Sequence, residues 1–445
     1  MLTADPGCGI AWWGVAMTHF GNPMAGGSGA AGQAAGWEAV QKGQAVGGRS
    51  ERDRAYIEAG AVLFRDHAKT GNRPRMIAYE QAMKALVDRF PQDNEARIFH
   101  SIFVVANAPP TDLTFAQQKR AANVLNRLYR EQPNHPGLAH YIIHAFDSPP
   151  LARLALDAAR QYADIAPAAP HALHMPSHIF TRLGYWDESI RMNRRSADLE
   201  EAPGGKAHPM DYLVYAYLQQ GKDEEALKVI QELGGNTSGE YIAGGLSSYN
   251  AAAMPARYAL ERDDWANAAR LAVPQAAPSV EAVTRFARGL GAARSGDAAA
   301  AKAELTEMNR LLSELTRMND TYWAHIVDAQ RMAVQAWVAH ADGDHEQAML
   351  IARAAADKEE QVEKHPVTPG PLIPARELLG DILMLHRMPA EALIAYERTL
   401  NKEPNRLRTL VGAARAARAA GKLDVAASYE RQVRALGASR RLGGL

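Results

Sequence analysis

The stretch "RLGYWDESIRM", residues 182–192, decides the fold, because five variants of it recur along the chain. Each variant has a short turn, two or three polar residues and then a small residue, at which two helices can cross closely. The small residue is Ser189 in the quoted stretch. The variants with their small residues are "QQGKDEEALKV" (Ala226), "ERDDWANAARL" (Ala268), "ADGDHEQAMLI" (Ala348), "HRMPAEALIAY" (Ala392) and "AAGKLDVAASY" (Ala426). This pattern predicts a helical hairpin at each occurrence.

Equivalent positions in neighbouring hairpins are 34 residues apart. Pro133 and Pro167, which each end a helix, have this spacing, and so do the small residues Ala155 and Ser189. A helix-turn-helix unit of 34 residues has the tetratricopeptide period. From about Gly7 to Arg434 the chain resembles tetratricopeptide repeat proteins. We therefore expect an all-α fold, a right-handed superhelical solenoid of stacked helix-turn-helix repeats without a β-sheet.

Two stretches divide the predicted array. Residues 234–248, "GGNTSGEYIAGGLSS", are expected to connect tetratricopeptide-like repeats in 1–233, which contain a histidine-rich groove, with further repeats in 249–445. Residues 363–377, "EKHPVTPGPLIPARE", contain four prolines that exclude helix until the end of the stretch. We expect this proline-rich stretch to be a rigid crossover between two helices.

The composition excludes several classes of function. Fifty basic and fifty acidic residues give a net charge of zero, so the chain lacks the positive charge expected of a protein that binds nucleic acid. No apolar run is long enough for membrane insertion. Cys8 is the single cysteine, which excludes an internal disulfide and a cysteine metal cage. The glycine-rich stretch 21–36 lacks the Gly-Lys-Ser/Thr ending of a phosphate loop, so no nucleotide cofactor is expected.

Five of the fifteen histidines lie in "HYIIHAFD", residues 140–147, and "HALHMPSHIF", residues 171–180. His140 and His144 precede His174 and His178 by one period of 34 residues, and each pair shares one face of a helix. The resemblance implies that this face lines the concave groove. We therefore predict that these four histidines converge in the groove. The expected next shell contains His171, Asp147 and His208.

Histidine pairs four residues apart are ligands in helical zinc sites. The predicted metal ligands are His140, His144, His174, His178 and His171, and the predicted ion is zinc or copper, with iron as an alternative if Asp147 joins the set. The remaining candidate groove residues are Asp147, Arg182, His208, Asp211 and Arg257. Arg182 and Arg257 are placed to hold a carboxylate. His100, His325, His340 and His345 are expected to be ordinary surface or packing residues.

Three functions stay open on the sequence alone. The first is a binding protein that holds a protein, peptide or small ligand in its histidine-rich groove, either with a bound metal ion or without one. The second is a metal-dependent enzyme that uses the same histidines, although no nucleophile motif is present. The third is a plain protein–protein interaction scaffold.

Four stretches resemble a family of bacterial tetratricopeptide proteins for which the resemblance implies no activity: "HPGLAHYIIHAFD", "APHALHMPSHIFTRLGYWDES", "HPMDYLVYAYLQQ" and "EKHPVTPGPLIPARELLGD". Members of that family commonly start further upstream, often with an export signal. The compartment is therefore open: cytoplasmic as sequenced, or periplasmic or exported if a leader precedes the sequence.

Overall fold

A computed structural model describes residues 2–239 and 248–443. Within these ranges the regular structure is helical and contains no β-strand, which confirms the prediction of an all-α, tetratricopeptide-like array of helical hairpins. No helix in the described part of the chain is long and apolar enough to cross a membrane. The chain divides into two compact units, Met1–Phe146 and Asp147–Leu445.

The first unit contains seven helices in its described part, and each packs against the next one along the chain. They are α1 Gly9–Phe20, α2 Ala30–Val46, α3 Glu51–Phe64, α4 Asn72–Arg89, α5 Asn94–Ala106, α6 Ala116–Glu131 and α7 Pro136–Phe146. Phe20, Phe64, Tyr79 and Phe103 are completely or almost completely buried in its core. Their rings meet in edge-on and tilted pairs, which adds stabilisation beyond the buried area.

The second unit contains sixteen helices in its described part. They are α8 Leu156–Ile165, α9 Pro170–His174, α10 Pro176–Arg182, α11 Trp186–Leu199, α12 Pro203–Gln219, α13 Asp223–Glu232, α14 Tyr249–Leu260, α15 Trp265–Ala268, α16 Pro278–Arg294, α17 Ala298–Arg317, α18 Thr321–Ala341, α19 His345–Glu359, α20 Ala375–Leu385, α21 Pro389–Lys402, α22 Leu407–Ala419 and α23 Leu423–Ala435. The predicted connecting segment 234–248 lies within this unit. Its residues 240–247 lie outside the described ranges, so the division at that segment stays a prediction.

Hairpin stacking in the second unit follows the repeated sequence pattern. The six small junction residues, from Ser189 to Ala426, are fully buried where paired helices cross. Aspartate side chains cap the starts of α15, α17, α18 and α19 by accepting a hydrogen bond from a backbone N–H in the first turn. The first helices of successive hairpins, α12, α14, α16, α18, α20 and α22, also contact one another in turn. These contacts form the inner face of the unit.

The second unit closes on itself, since its last hairpins contact its early ones. Helix α22 packs against α12. Trp186 Nε1 donates a hydrogen bond to the carbonyl oxygen of Asn405 at 3.0 Å, and Asn405 Nδ2 donates to the carbonyl oxygen of Gly184 at 3.3 Å. Gly184 has a φ of +67°, and a Cβ atom there would lie 2.3 Å from the carbonyl oxygen of Pro404. This turn therefore needs glycine both for its conformation and for the close approach.

The inner face of the second unit is occupied by part of its own chain. Residues 360–374, here called the inner segment, connect α19 to α20. Arg257 of α14 donates hydrogen bonds to Thr368 Oγ1 at 2.6 Å and to the carbonyl oxygens of Gly370 and Pro371 at 2.7 and 2.8 Å. Tyr212 of α12 donates to the carbonyl oxygen of Thr368 at 3.3 Å. The proline-rich inner segment therefore connects two helices and also fills the concave side of the second unit.

Asp381 of α20 makes stability depend on pH. Its carboxylate accepts hydrogen bonds from Arg294 and Arg408 at 2.6 and 2.5 Å and from the Tyr396 hydroxyl at 2.8 Å. Burial alone would raise the pKa of Asp381, but the two arginines outweigh it and lower that pKa to about 2. A carboxyl group whose pKa is lower in the folded chain than in the unfolded chain stabilises the fold at pH values above its unfolded pKa. This stabilisation is lost as the pH falls through the folded pKa.

We therefore expect Asp381→Asn to lower the free energy of unfolding at pH 7 by about 2 kcal/mol. The difference between wild type and variant should shrink as the pH falls from about 4 towards 2, because the unfolded wild-type chain then takes up a proton first. Urea denaturation followed by circular dichroism at several pH values measures both quantities. A difference that stays constant down to pH 2.5 would contradict the assigned pairing.

Candidate functional site

Three histidines of the second unit come together on its inner face. His174 ends α9, His178 lies in α10, and His208 lies in the second turn of α12. Pro176 is the first residue of α10 and follows shortly after the end of α9, so His174 and His178 belong to two short helices. One nitrogen of each of the three rings lies within 4.8 Å of one nitrogen of the others. We call His174, His178 and His208 the histidine centre.

Asp147 orients the ring of His178. The carboxylate oxygen Oδ2 lies 2.9 Å from His178 Nδ1. Burial alone would raise the pKa of Asp147, but the charges of Lys364 and Arg182 hold that pKa well below its usual value, so the group is an acceptor. His178 Nδ1 therefore carries the proton, and Nε2 carries the lone pair. Burial lowers the pKa of His178 to about 3 in spite of the carboxylate, so this ring is neutral.

Asn193 of α11 orients the ring of His174. Asn193 Nδ2 donates to the carbonyl oxygen of Ser189 at 2.8 Å, which fixes the side-chain amide with Oδ1 towards the histidine. Oδ1 lies 2.7 Å from His174 Nδ1 and also accepts a hydrogen bond from Ser177 Oγ at 3.0 Å. An amide oxygen can only accept, so Nδ1 of His174 carries the proton. Its Nε2 therefore also carries a lone pair.

The two lone pairs face each other. His174 Nε2 and His178 Nε2 lie 2.9 Å apart in a buried position. The ring centroid of His208 is 4.4 Å from that of His174 and 5.8 Å from that of His178. His208 Nδ1 lies 3.4 Å from Asn250 Nδ2, and the ring also forms a hydrogen bond with the backbone of Val367. Two imidazole acceptors therefore face each other, and a third histidine ring lies beside them.

Charged groups around the histidine centre are paired with one another. Arg182 donates to Asp147 Oδ1 at 2.8 Å and forms an ion pair with Glu363 at the same distance. Lys364 Nζ lies 3.2 Å from Asp147 Oδ2. Arg257 pairs with Asp211 at 2.9 Å, and both side chains are completely buried. The two arginines therefore hold carboxylates of the chain itself.

This geometry corrects one expectation from the sequence. The face that carries His174, His178, Arg182, Asp211 and Arg257 was predicted to be an open groove surface, but all five residues are buried. The reason is the closure of the second unit and the inner segment, which covers the concave side.

The four histidines that were predicted to converge belong to two different units of the chain. His140 and His144 lie on α7, in the first unit, with ring centroids 4.8 Å apart. His174 and His178 lie in the second unit, as does His171, whose ring centroid is 6.3 Å from that of His174. Participation of His140, His144 and His171 in one metal site stays a prediction.

A second histidine group in the second unit includes His340 and His345, which were expected to be ordinary surface or packing residues. His340, His345 and His386 place one ring nitrogen each within 4.8 Å of the others, and His340 Nδ1 lies 3.2 Å from His386 Nε2. They come from the end of α18, the start of α19 and the end of α20. These three histidines do not follow the spacing of the repeat, because each lies at a different turn of the chain. The sequence offers no signal for this group.

Comparison with known proteins does not narrow the function. No family model matches the chain, and no curated protein sequence matches it. The chain is similar to the solved structure of the human IFIT1 dimer with PPP-AAAA, at 10% sequence identity and a TM-score of 0.45, over 92% of this chain and 87% of that one. It is also similar to the APC/C hetero-tetramer Cut9-Hcn1, at 13% identity and a TM-score of 0.38, over 93% and 82%. Likenesses this distant carry no argument about function.

Proposed function

We propose that the protein is a tetratricopeptide-like binding protein whose histidine centre holds a transition-metal ion, zinc or copper. The observation that carries the proposal is the contact of His174 Nε2 with His178 Nε2 at 2.9 Å, although both nitrogens are acceptors. Two lone pairs at this distance repel each other unless a proton or a metal ion lies between or beside them. The third histidine, with one ring nitrogen within 4.8 Å of the other two, favours a metal ion, because one ion can bind all three rings whereas a proton joins only two nitrogens.

Distances support the proposal. Two imidazole nitrogens bound to one tetrahedral zinc ion at about 2.0–2.1 Å lie roughly 3.3 Å apart. The observed 2.9 Å is close to that value, and a small rotation of either ring would reach it. His208 supplies a third nitrogen within 4.8 Å of the other two.

Asp147 supports the role of His178 without being a ligand itself. Metal-bound histidines commonly donate their second N–H to a carboxylate, which fixes the ring and raises its basicity. Asp147 makes this contact with His178 Nδ1 and is also held by Arg182 and Lys364. Because the carboxylate is engaged on both oxygens, an iron site that includes Asp147 loses support, and zinc or copper is favoured.

The enclosed inner face favours a small ligand over a long peptide. The inner segment already forms hydrogen bonds with α12 and α14 where a groove-bound peptide would lie. A net charge of zero gives no support to a nucleic-acid partner. We infer that the histidine-rich motifs, which resemble those of bacterial tetratricopeptide proteins, mark a metal site rather than a peptide groove.

A metal-dependent enzyme is the second candidate, and the number of ligands favours it. Structural zinc sites usually have four protein ligands, whereas catalytic sites have three and keep one open position. The histidine centre contains three histidines, and the carboxylate of Asp147 beside it is held by His178 Nδ1 and Arg182. An open position would allow a small molecule to bind directly to the ion.

Elemental analysis tests the proposal. Purified without chelator, the protein is expected to contain at least one equivalent of zinc or copper per chain. His174→Ala and His178→Ala should each lose that equivalent, because two remaining imidazoles bind an ion weakly. Mass spectrometry of the metals measures the content, and circular dichroism confirms that each variant is folded.

The matched control is the double variant His340→Ala/His386→Ala, which removes two histidines of the other group. It should keep the equivalent that His178→Ala loses. Metal content that is unchanged in folded His174→Ala and His178→Ala variants would refute the proposed centre. So would a wild-type protein that takes up no zinc or copper when these ions are supplied.

A further inference from the structure

The second histidine group lies where two neighbouring hairpins turn. His340 is in the last turn of α18 and His345 is the first residue of α19, so the two flank the turn of that hairpin. His386 directly follows α20, at the turn that leads into α21. One ring nitrogen of each lies within 4.8 Å of one ring nitrogen of the others. We call His340, His345 and His386 the turn histidines.

Backbone hydrogen bonds hold both turns in place. In the turn between α18 and α19, the N–H of Asp344 donates to the carbonyl oxygen of Ala339 at 2.9 Å. In the turn between α20 and α21, the N–H of Met388 donates to the carbonyl oxygen of Leu383 at 2.9 Å. The backbone therefore fixes the positions from which the three side chains start, and a ligand that needs all three rings pays little to order them.

The three rings form a compact triangle. The ring centroids of His340 and His386 lie 5.1 Å apart, those of His345 and His386 4.6 Å, and those of His340 and His345 5.4 Å. His340 Nδ1 lies 3.2 Å from His386 Nε2. Two imidazole nitrogens bound to one tetrahedral zinc ion lie roughly 3.3 Å apart. His345 is exposed, so a change of rotamer can bring its nitrogen to the same distance.

A hydrogen bond between His340 and His386 would explain only two of the three rings. One neutral imidazole can donate to the lone pair of the other, and this pair needs no ion. His345, however, gains nothing from that bond, and an exposed side chain at the start of a helix is free to point into solvent. An ion binds three nitrogens at once, whereas a proton joins only two. The place of His345 against the other two rings therefore favours an ion.

The carboxylates of the first turn are engaged by other groups. Asp342 forms an ion pair with Lys302 at 2.8 Å. Asp344 caps α19 by accepting a hydrogen bond from the backbone N–H of Gln347 at 3.2 Å. The three imidazoles are therefore the ligands that these turns offer, and water would complete the coordination of an ion.

Protonated histidines this close together would instead attract an anion. Burial and the charges of His386, His345 and Arg294 lower the pKa of His340, and burial and the charge of His345 lower the pKa of His386. Both rings are therefore neutral at pH 7. Neutral imidazole is the form that binds a metal ion, so the charge state agrees with the geometry.

We propose that the turn histidines form a surface site for a divalent late transition-metal ion, zinc, nickel or copper, which joins the hairpin of α18 and α19 to the hairpin of α20 and α21. Imidazole ligands suit these ions, whereas magnesium prefers oxygen ligands. An ion that binds the folded chain alone stabilises the fold, and more so as its concentration rises. The site is separate from the histidine centre, and its occupation does not depend on that centre.

Zinc uptake by the full chain tests the proposal. The protein is prepared without a polyhistidine tag, stripped with a chelator and dialysed against zinc. His345→Ala and His386→Ala should each take up about one equivalent less than the wild type, or bind that equivalent at least about ten-fold more weakly, because even loss of a group that only orients a ligand has an effect of this size. The matched control is His19→Ala, which removes an exposed histidine at the end of α1 and should behave as the wild type does.

Thermal unfolding provides a second measurement. Added zinc should raise the melting temperature of His345→Ala by less than that of His19→Ala, and magnesium should raise neither. Folded His178→Ala should keep the equivalent that His345→Ala loses, so the test separates this site from the histidine centre. If His345→Ala and His386→Ala take up zinc as His19→Ala does, or if magnesium replaces zinc at the same concentration, the proposal is wrong.

Discussion

Replacement of Arg257 by methionine is expected to lower the free energy of unfolding by about 3–5 kcal/mol. Arg257 is completely buried, pairs with Asp211, and donates to Thr368, Gly370 and Pro371 of the inner segment. Methionine fills similar space but leaves the Asp211 carboxylate buried without its ion-pair partner and leaves the carbonyl oxygen of Pro371 without its donor. Removal of one partner from a buried pair costs far more than the pair contributes as a whole.

Arg310→Met is the matched control, because Arg310 also has several carboxylate partners, yet it lies on the surface. It pairs with Glu281, Glu307 and Glu314, with its side chain 43% exposed. Exposed pairs of this kind contribute little, so we expect a loss of about 1 kcal/mol or less. Urea denaturation of both variants gives the comparison. If the two substitutions cost the same, Arg257 does not anchor the inner segment.

Loss of this anchor should also be visible locally. Hydrogen exchange at the amides of residues 363–373 is expected to accelerate in Arg257→Met before the helices of the second unit unfold, because the segment is held mainly by side chains of α10, α12 and α14. The same variant would expose the histidine centre to solvent. Stability and access to the site therefore depend on the same buried arginine.

The sequence was sufficient for the hairpins because their determinants are local. A turn, a few polar residues and a small residue at a fixed offset specify each junction, and Ser189 and Ala226 are fully buried at such junctions. The closure of the second unit is different. It joins Trp186 to Asn405, 219 residues apart, and depends on the summed curvature of all the hairpins between them. No short pattern encodes that sum.

In the candidate site, too, the local features could be predicted from the sequence and the long-range ones could not. The 34-residue register places the histidines on one face, but it places His208 in a next shell, whereas the ring of His208 lies beside that of His174. The proton positions depend on Asn193 and Ser189 from another helix. Burial by the inner segment could not be predicted, since nothing in "EKHPVTPGPLIPARE" indicates the surface against which it folds.

Glu377→Ala is expected to be as costly as loss of Arg257, about 3–5 kcal/mol, because it breaks the buried network that closes the second unit. Glu377 of α20 is completely buried and accepts hydrogen bonds from Arg406 at 2.8 Å and Arg408 at 2.6 Å. Arg406, also completely buried, donates in turn to the Tyr215 hydroxyl of α12 at 3.1 Å. Without Glu377, both guanidinium groups lose their shared partner, and the completely buried Arg406 keeps one carboxylate, that of Glu261 at 2.7 Å.

The exposed pair of Glu391 with Arg353 provides the contrast to this network. Its atoms are 2.6 Å apart, but both side chains are nearly half exposed, so Glu391→Ala should cost about 1 kcal/mol or less. Thermal and urea unfolding of the two variants measure the difference. Because Arg406 joins α20 to α12, Glu377→Ala should also speed hydrogen exchange at residues 404–407, where the last hairpins meet the first ones. Equal costs for the two substitutions, with unchanged exchange at 404–407, would mean that packing alone closes the unit.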